Sequence, residues 1–262
     1  MWVIDSHAHL NHPSFADDLP ATLQRARAAG VRAVLVAGFD LPSSREAVRL
    51  AAEHAEVWAS VGVHPHDART CDDETLAELA RLLKAPRVAA VGETGLDYYR
   101  NLSPPEAQRH ALRAHLALAR EAGLPVILHD RDAHADLLQI LREEGVPAAG
   151  GVLHCFSGDE TLARQAISLG LMVSAAGQIT YGRSEALRRA VAAVPSDRLL
   201  VETDSPYLTP EPYRGRQRRN EPMRVAEVVR CVAAARHTDP ESVARATLEN
   251  ACQLFGITIT TS

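Results

Sequence analysis

Eight short apolar runs, rich in β-branched residues, recur along this chain, and each is followed by a stretch of helical periodicity. The runs are Trp2–Asp5, Val31–Val36, Val57–Val61, Val88–Val91, Val126–Leu128, Val152–Leu153, Leu171–Ser174 and Leu199–Val201. They begin roughly 20 to 37 residues apart, room for a strand and a returning helix, which a parallel neighbour requires because it is reached only by a crossover. One such helix is legible over Glu106–Glu121, where Leu112, Leu116 and Ala119 share a face and Pro104-Pro105 marks the start. Gly30, Gly123, Gly145 and Gly170 each stand where a helix must stop before the next strand. Eight such units in 262 residues predict a single-domain TIM (β/α)8 barrel spanning residues 1–262. The competing fold is a doubly wound open sheet, but no GxGxxG follows the first run. No repeat, low-complexity tract or long linker marks a domain boundary.

Composition narrows the function classes. A hydrophobic share of 46% supplies ample core, and a net charge of -5 argues against a generally basic nucleic-acid coat while leaving a local basic patch open. Cys71, Cys155, Cys231 and Cys252 form no CxxC pair and read as reduced thiols. The first residues carry no basic leader pattern, and no apolar segment approaches membrane-spanning length. The expectation is a soluble cytoplasmic protein with no obligate protein partner and no membrane association.

The informative residues stand at the ends of the runs. His7 and His9 follow the first, His64 the third, Glu93 the fourth, His129 the fifth, His154 the sixth and Asp204 the eighth. In a barrel these ends converge on one face, where active sites are built, and histidines with carboxylates gathered there predict a metal site. His7 and His9 are two apart, so on a strand both point to the same face and can grip one cation. His129 and His154, from neighbouring strands, can grip a second, and Glu93 can bridge the two ions through its two oxygens. Asp204 then completes the first shell and holds a water. Single histidines are usually solvated or structural; that is the expectation for His12, His54, His110, His134, His237 and, on the helix before the fifth run, His115. Glu202 and Asp5 share strand faces with Asp204 and His7 and read as supporting partners or loop anchors.

The stretches IDSHAHL (4–10), VGVHPH (61–66), VGETGLDYY (91–99), PVILHDRDA (125–133), GVLHCFSG (151–158) and LLVETDSPYLTP (199–210) occur in one order over nearly the whole length. With the following RG and RNEP, they resemble the TatD family of metal-dependent deoxyribonucleases, within the amidohydrolase-like barrels. The resemblance implies two metal ions, one on His7, His9, Glu93 and Asp204 and the other on Glu93, His129 and His154. It also implies hydrolysis of DNA phosphodiesters, often from the 3′ end, with a possible third ion arriving with substrate. Two departures stand out. Leu112 and His115 occupy positions where the family usually has Phe and Gln, and the segment from Arg214-Gly215 to Asn220 is about two residues longer than the common pattern. Relatives in the wider superfamily bridge their metals with a carboxylated lysine; here Lys84 is the only lysine and precedes the fourth run, at the wrong end of the barrel.

Two bridged divalent ions would acidify a water and neutralise phosphoryl charge. Asp204 is the expected general base, and His64 would contact the phosphate or protonate the leaving oxygen. Histidine-rich shells suit zinc or manganese better than magnesium, and all three stay open. All five tyrosines (Tyr98, Tyr99, Tyr181, Tyr207, Tyr213) fall near loops on the catalytic face, as do Arg100, Arg131 and Arg183 and the cluster Arg214, Arg216, Arg218 and Arg219. Arginines clamp phosphates and aromatics stack bases, so Tyr98, Tyr99, Arg100, Arg131, Tyr207 and Arg214 are expected substrate contacts on single-stranded DNA ends, with RNA as a further possibility. The alternatives are hydrolysis of another ester or amide, such as D-aminoacyl-tRNA, and a non-enzymatic binding role that the intact ligand set disfavours.

Overall fold

A computed structural model describes residues 1–217 and 219–259. Eight strands, β1 (Val3–Ala8), β2 (Val31–Ala37), β3 (Val57–Val61), β4 (Val88–Asp97), β5 (Val126–Arg131), β6 (Gly151–Leu153), β7 (Leu171–Ala175) and β8 (Leu199–Val201), pair in parallel in sequence order. Between and after them run α1 (Leu19–Ala28), α2 (Leu41–Glu53), α3 (Asp73–Leu82), α4 (Pro105–Ala122), α5 (His134–Glu144), α6 (Glu160–Ser168), α7 (Glu185–Ala193), α8 (Val225–Ala235) and α9 (Pro240–Phe255). This is the eight-unit barrel that the runs predict.

Local chemistry starts the helices. Asp40, Asp72, Asp159 and Asp239 each accept the backbone N–H three residues on, satisfying a donor the first turn leaves unpaired, worth about 1 kcal/mol each. Gly123 and Gly145 end α4 and α5, as expected. Packing then separates two apolar zones. On β2, Val34 and Val36 face the helices, while Ala33 and Leu35 fill the barrel interior with Ile4, Ile127 and Leu200. Ala251, Leu254 and Phe255 of α9 close the floor of that interior. Each fully buried Leu or Ile contributes about 2 kcal/mol of transfer free energy.

Two features of the rim decide the site. β1 and β8 close the ring just past β8: the Asp204 N–H donates to the His7 carbonyl (2.9 Å) and the His9 N–H to the Ser205 carbonyl (2.6 Å). That seam brings Asp204 beside the two histidines. The other feature is the length of β4. The apolar run ends at Val91, but the strand continues to Asp97, so Glu93 lies within the strand and not after it. The continuation needs glycine. Gly95 has φ +145, and a Cβ there would sit 2.0 Å from the His129 carbonyl oxygen, so only a bare Cα lets β4 and β5 approach this closely.

Candidate metal centre

Glu93 is the hub. Its backbone N–H donates to the Gly38 carbonyl at 2.8 Å, and the residue is 2% exposed. One oxygen, Oε2, lies 3.3 Å from His7 Nε2 and 3.6 Å from His9 Nε2. The other, Oε1, lies 2.9 Å from His129 Nδ1 and 2.8 Å from His154 Nε2. The two oxygens thus face two separate histidine pairs. Asp204 Oδ1 stands 3.3 Å from His9 Nε2 and 3.9 Å from His7 Nε2, completing the first group. All six expected ligands therefore meet.

His64 joins from the loop after β3. Its Nδ1 accepts the His66 N–H (3.1 Å), which puts the ring proton on Nε2, facing Glu93 Oε1 at 3.4 Å. Glu202 supports His154: its Oε1 accepts the Cys155 N–H (2.7 Å) and faces His154 Nδ1 at 3.2 Å, leaving Nε2 for Glu93. Asp5 makes no hydrogen bond to the His7 ring. It accepts the Thr203 N–H (2.8 Å) and hydroxyl (2.5 Å), anchoring the chain after β8, and burial pushes its carboxyl up to about 8.

The donor spacing fits metal ions. Tetrahedral ligands about 2.0–2.1 Å from a zinc ion lie about 3.4 Å from one another. Here His7 and His9 Nε2 are 3.2 Å apart, and so are His129 Nδ1 and His154 Nε2. Imidazole nitrogens this close need a shared proton or a cation. The donors of His7, His9 and Asp204 form one compact group, those of His64, Glu93 and His129 another, and those of His7, His154 and Glu202 a third. Lys84, the only lysine, is exposed between α3 and the start of β4, at the opposite end of that strand from these groups.

The electrostatics favour a cation as well. Burial alone would raise the Glu93 carboxyl, yet His154, His64 and His129 hold it well below the usual range. Asp204 is raised by burial but pulled lower on balance by His9. Burial depresses His154, but Glu93 and Glu202 lift it well above an ordinary histidine. His64, dominated by burial, falls to about 4 and stays neutral. Both carboxylates are therefore ionised at neutral pH, and cation uptake would release protons from the histidines.

Above the hub opens a cleft of about 770 Å³, lined by His9, His64, Glu93 and Asp204 at its floor. Its walls include Arg100, Arg131 and Tyr207, three of the expected substrate contacts. Tyr98, Tyr99 and Arg214 do not line it. The Tyr98 hydroxyl donates to Asp136 (2.7 Å) and accepts from Arg109 (2.9 Å), while Arg214 packs over Tyr181 at 4.0 Å. Tyr99 stands outside, with Arg131 over its ring at 3.9 Å. Arg219 is bound to Asp18 and Glu221, and Arg218 lies outside the described residues.

Sequence reasoning missed the buried Asp97 and its partner His66, on the cleft wall. Asp97 Oδ2 accepts from His66 Nε2 at 2.8 Å, and the same oxygen stands 3.5 Å from His129 Nε2, too far for a hydrogen bond. The signal was present: 93, 95 and 97 share one strand face once β4 is carried past Val91. His115, expected to be structural, is buried in α4 and accepts the Val63 N–H.

A parallel barrel whose C-terminal rim gathers four histidines around one buried carboxylate defines the class of metal-dependent hydrolases. The pattern of the family described as TatD related DNase matches residues 4–256, and the chain belongs to that family. It is 40% identical over 255 residues to the uncharacterized metal-dependent hydrolase YabD of Bacillus subtilis, covering 97% of this chain and 99% of the relative. It is 41% identical over 259 residues to the 3′-5′ ssDNA/RNA exonuclease TatD of Erwinia amylovora, covering 97% of this chain and 100% of that one. Among solved structures, the TatD homolog YJJV of Escherichia coli K12 superposes with a TM-score of 0.92 at 33% identity, covering 98% of each chain.

Proposed function

We propose that this chain is a divalent-metal-dependent nuclease that removes nucleotides from the 3′ ends of single-stranded DNA or RNA, acting in the cytoplasm. The observation carrying the reading is Glu93, whose two oxygens face two histidine pairs. That geometry supports two ions, one on His7, His9, Glu93 and Asp204 and the other on Glu93, His129 and His154. Imidazole-rich donor sets favour zinc or manganese. Bound there, the ions would acidify a water and withdraw charge from a phosphoryl oxygen.

The chain's own groups do the rest. Asp204 lines the cleft floor as an ionised carboxylate and accepts the proton of the attacking water. His64, neutral and with its Nε2 proton turned to the floor, donates a hydrogen bond to a phosphoryl oxygen. Arg100 and Arg131 clamp phosphate from the wall, and Tyr207, 52% exposed, offers a face to a base. The wall also carries Asp67 and Asp130, so it repels phosphate except near the arginines. The relative named as a 3′-5′ ssDNA/RNA exonuclease supports the polarity and the substrate.

The test is a cleavage ladder from 5′-labelled single-stranded DNA and RNA with magnesium, manganese or zinc. Wild type should shorten the strands from the 3′ end, and chelator or Glu93→Ala should abolish the ladder. Absence of a ladder with every metal refutes the nuclease reading, and fewer than two metal equivalents at saturation refutes the bridge.

A further inference from the structure

Tyr99 is the most exposed large apolar side chain among the described residues, at 63%, yet the turn that carries it is held firmly. The Tyr98 N–H donates to the Arg131 carbonyl (2.9 Å), and the Tyr98 hydroxyl is fixed between Asp136 and Arg109. The Arg100 N–H donates to the buried Asp97 carboxylate (2.7 Å), and the Asn101 side chain to the Tyr98 carbonyl (3.1 Å). An aromatic ring is thus presented to solvent from a pinned backbone. The Arg131 guanidinium covers one face at 3.9 Å, and the exposure leaves the other face open.

Arg131 also lines the cleft, so Tyr99 continues the cleft wall outward past an arginine that can meet phosphate. The other four loop tyrosines are placed differently, Tyr213 beneath the Arg224 guanidinium at 4.8 Å. Tyr98 spends its hydroxyl on Asp136 and Arg109, Tyr181 is half-buried under Arg214, and Tyr207 lies inside the cleft. An open π-face, a neighbouring cation and a fixed backbone are what a base of a single strand needs, because stacking is indifferent to sequence and a fixed ring loses little freedom. A strand trimmed from its end has its remaining nucleotides outside the cleft, where a base can meet an exposed ring.

We propose that Tyr99 and Arg131 form an outer stacking subsite for the nucleobase upstream of the nucleotides in the cleft, so that a strand of three nucleotides is held better than one of two. The proposal rests on the nuclease reading for its substrate class.

The experiment compares thymidine dinucleotide and trinucleotide in the metal-loaded wild type and in Tyr99→Ala and Tyr99→Trp variants. Stacking of one base predicts that wild type gains about fivefold or more in kcat/KM from the third nucleotide, mainly through KM. Tyr99→Ala should reduce that gain to near unity, and Tyr99→Trp should keep it. A gain in Tyr99→Ala equal to that of wild type overturns the proposal, as does the absence of any gain in wild type. The same ratio is read as Kd by fluorescence polarisation of 5′-labelled oligonucleotides in chelator. If no metal supports cleavage while the Kd ratio still depends on Tyr99, the nuclease reading falls and the subsite stands. If cleavage proceeds and neither ratio depends on Tyr99, the subsite falls alone.

Discussion

Acid should unfold this protein partly through one buried histidine that does not line the cleft. His115 is fully buried in α4; its Nδ1–H donates to the Ala111 carbonyl (2.7 Å) and its Nε2 accepts the Val63 N–H (3.0 Å). Both bonds require the neutral ring, since a protonated Nε2 would point a hydrogen at an N–H. Burial lowers its pKa to about 4, with the Ala111 carbonyl working weakly the other way. An unfolded histidine titrates near 6.5, so the unfolded chain takes up this proton first as pH falls. The contribution is therefore fully present above about pH 6.5, declines as pH drops, and levels off below about pH 4 after a total loss of about 3 kcal/mol. Between about pH 7.5 and about pH 5 the loss is about 2 kcal/mol. The check is denaturant unfolding of metal-stripped wild type and His115→Gln at both pH values. The amide keeps a donor and an acceptor but cannot titrate. Wild type should lose about 2 kcal/mol more than the variant on acidification. Parallel losses, within about 0.5 kcal/mol, would refute the assignment of a neutral, acid-sensitive His115.

Two further substitutions probe the rim. Glu202→Ala removes the carboxylate that aims His154 and leaves the buried Cys155 N–H without an acceptor. It should weaken metal binding about 10- to 100-fold in a chelator-competition titration, with Glu202→Gln, which keeps an acceptor, nearer wild type; equal affinities for all three proteins would exclude the supporting role. Gly95→Ala would place a Cβ 2.0 Å from the His129 carbonyl at φ +145, so a cost of about 3 kcal/mol or more should appear as a lowered Tm or insolubility. An unshifted melting curve would show that β4 and β5 can part without penalty.

The barrel was legible because eight apolar runs with helical spacers leave few alternatives once parallel pairing is required. The candidate ligands were legible for a related reason: strand order in sequence becomes angular order around a rim, so residues ending successive runs meet. His7, His9, Glu93, His129, His154 and Asp204 could be gathered from the sequence without knowing a distance. Periodicity fails where apolar patterning stops. The polar half of β4 continues the strand without apolar residues, so Glu93 read as lying beyond it, and Asp97 with His66 went unseen.

Tertiary structure alone decided how side chains are spent. Tyr98 and Tyr99 are neighbours of one type, yet one is tied down by Asp136 and Arg109 and the other is open over Arg131. Asp5 and Glu202 both flank candidate ligands in the chain, yet one anchors a loop and the other orients an imidazole. Which oxygen of Glu93 faces which histidine pair depends on the close approach at Gly95 and on the seam between His7 and Asp204. The linear chain carries the kind and order of each donor. Hydrogen-bond partners and the aim of a side chain depend on contacts between distant segments, and those exist only once the barrel has closed.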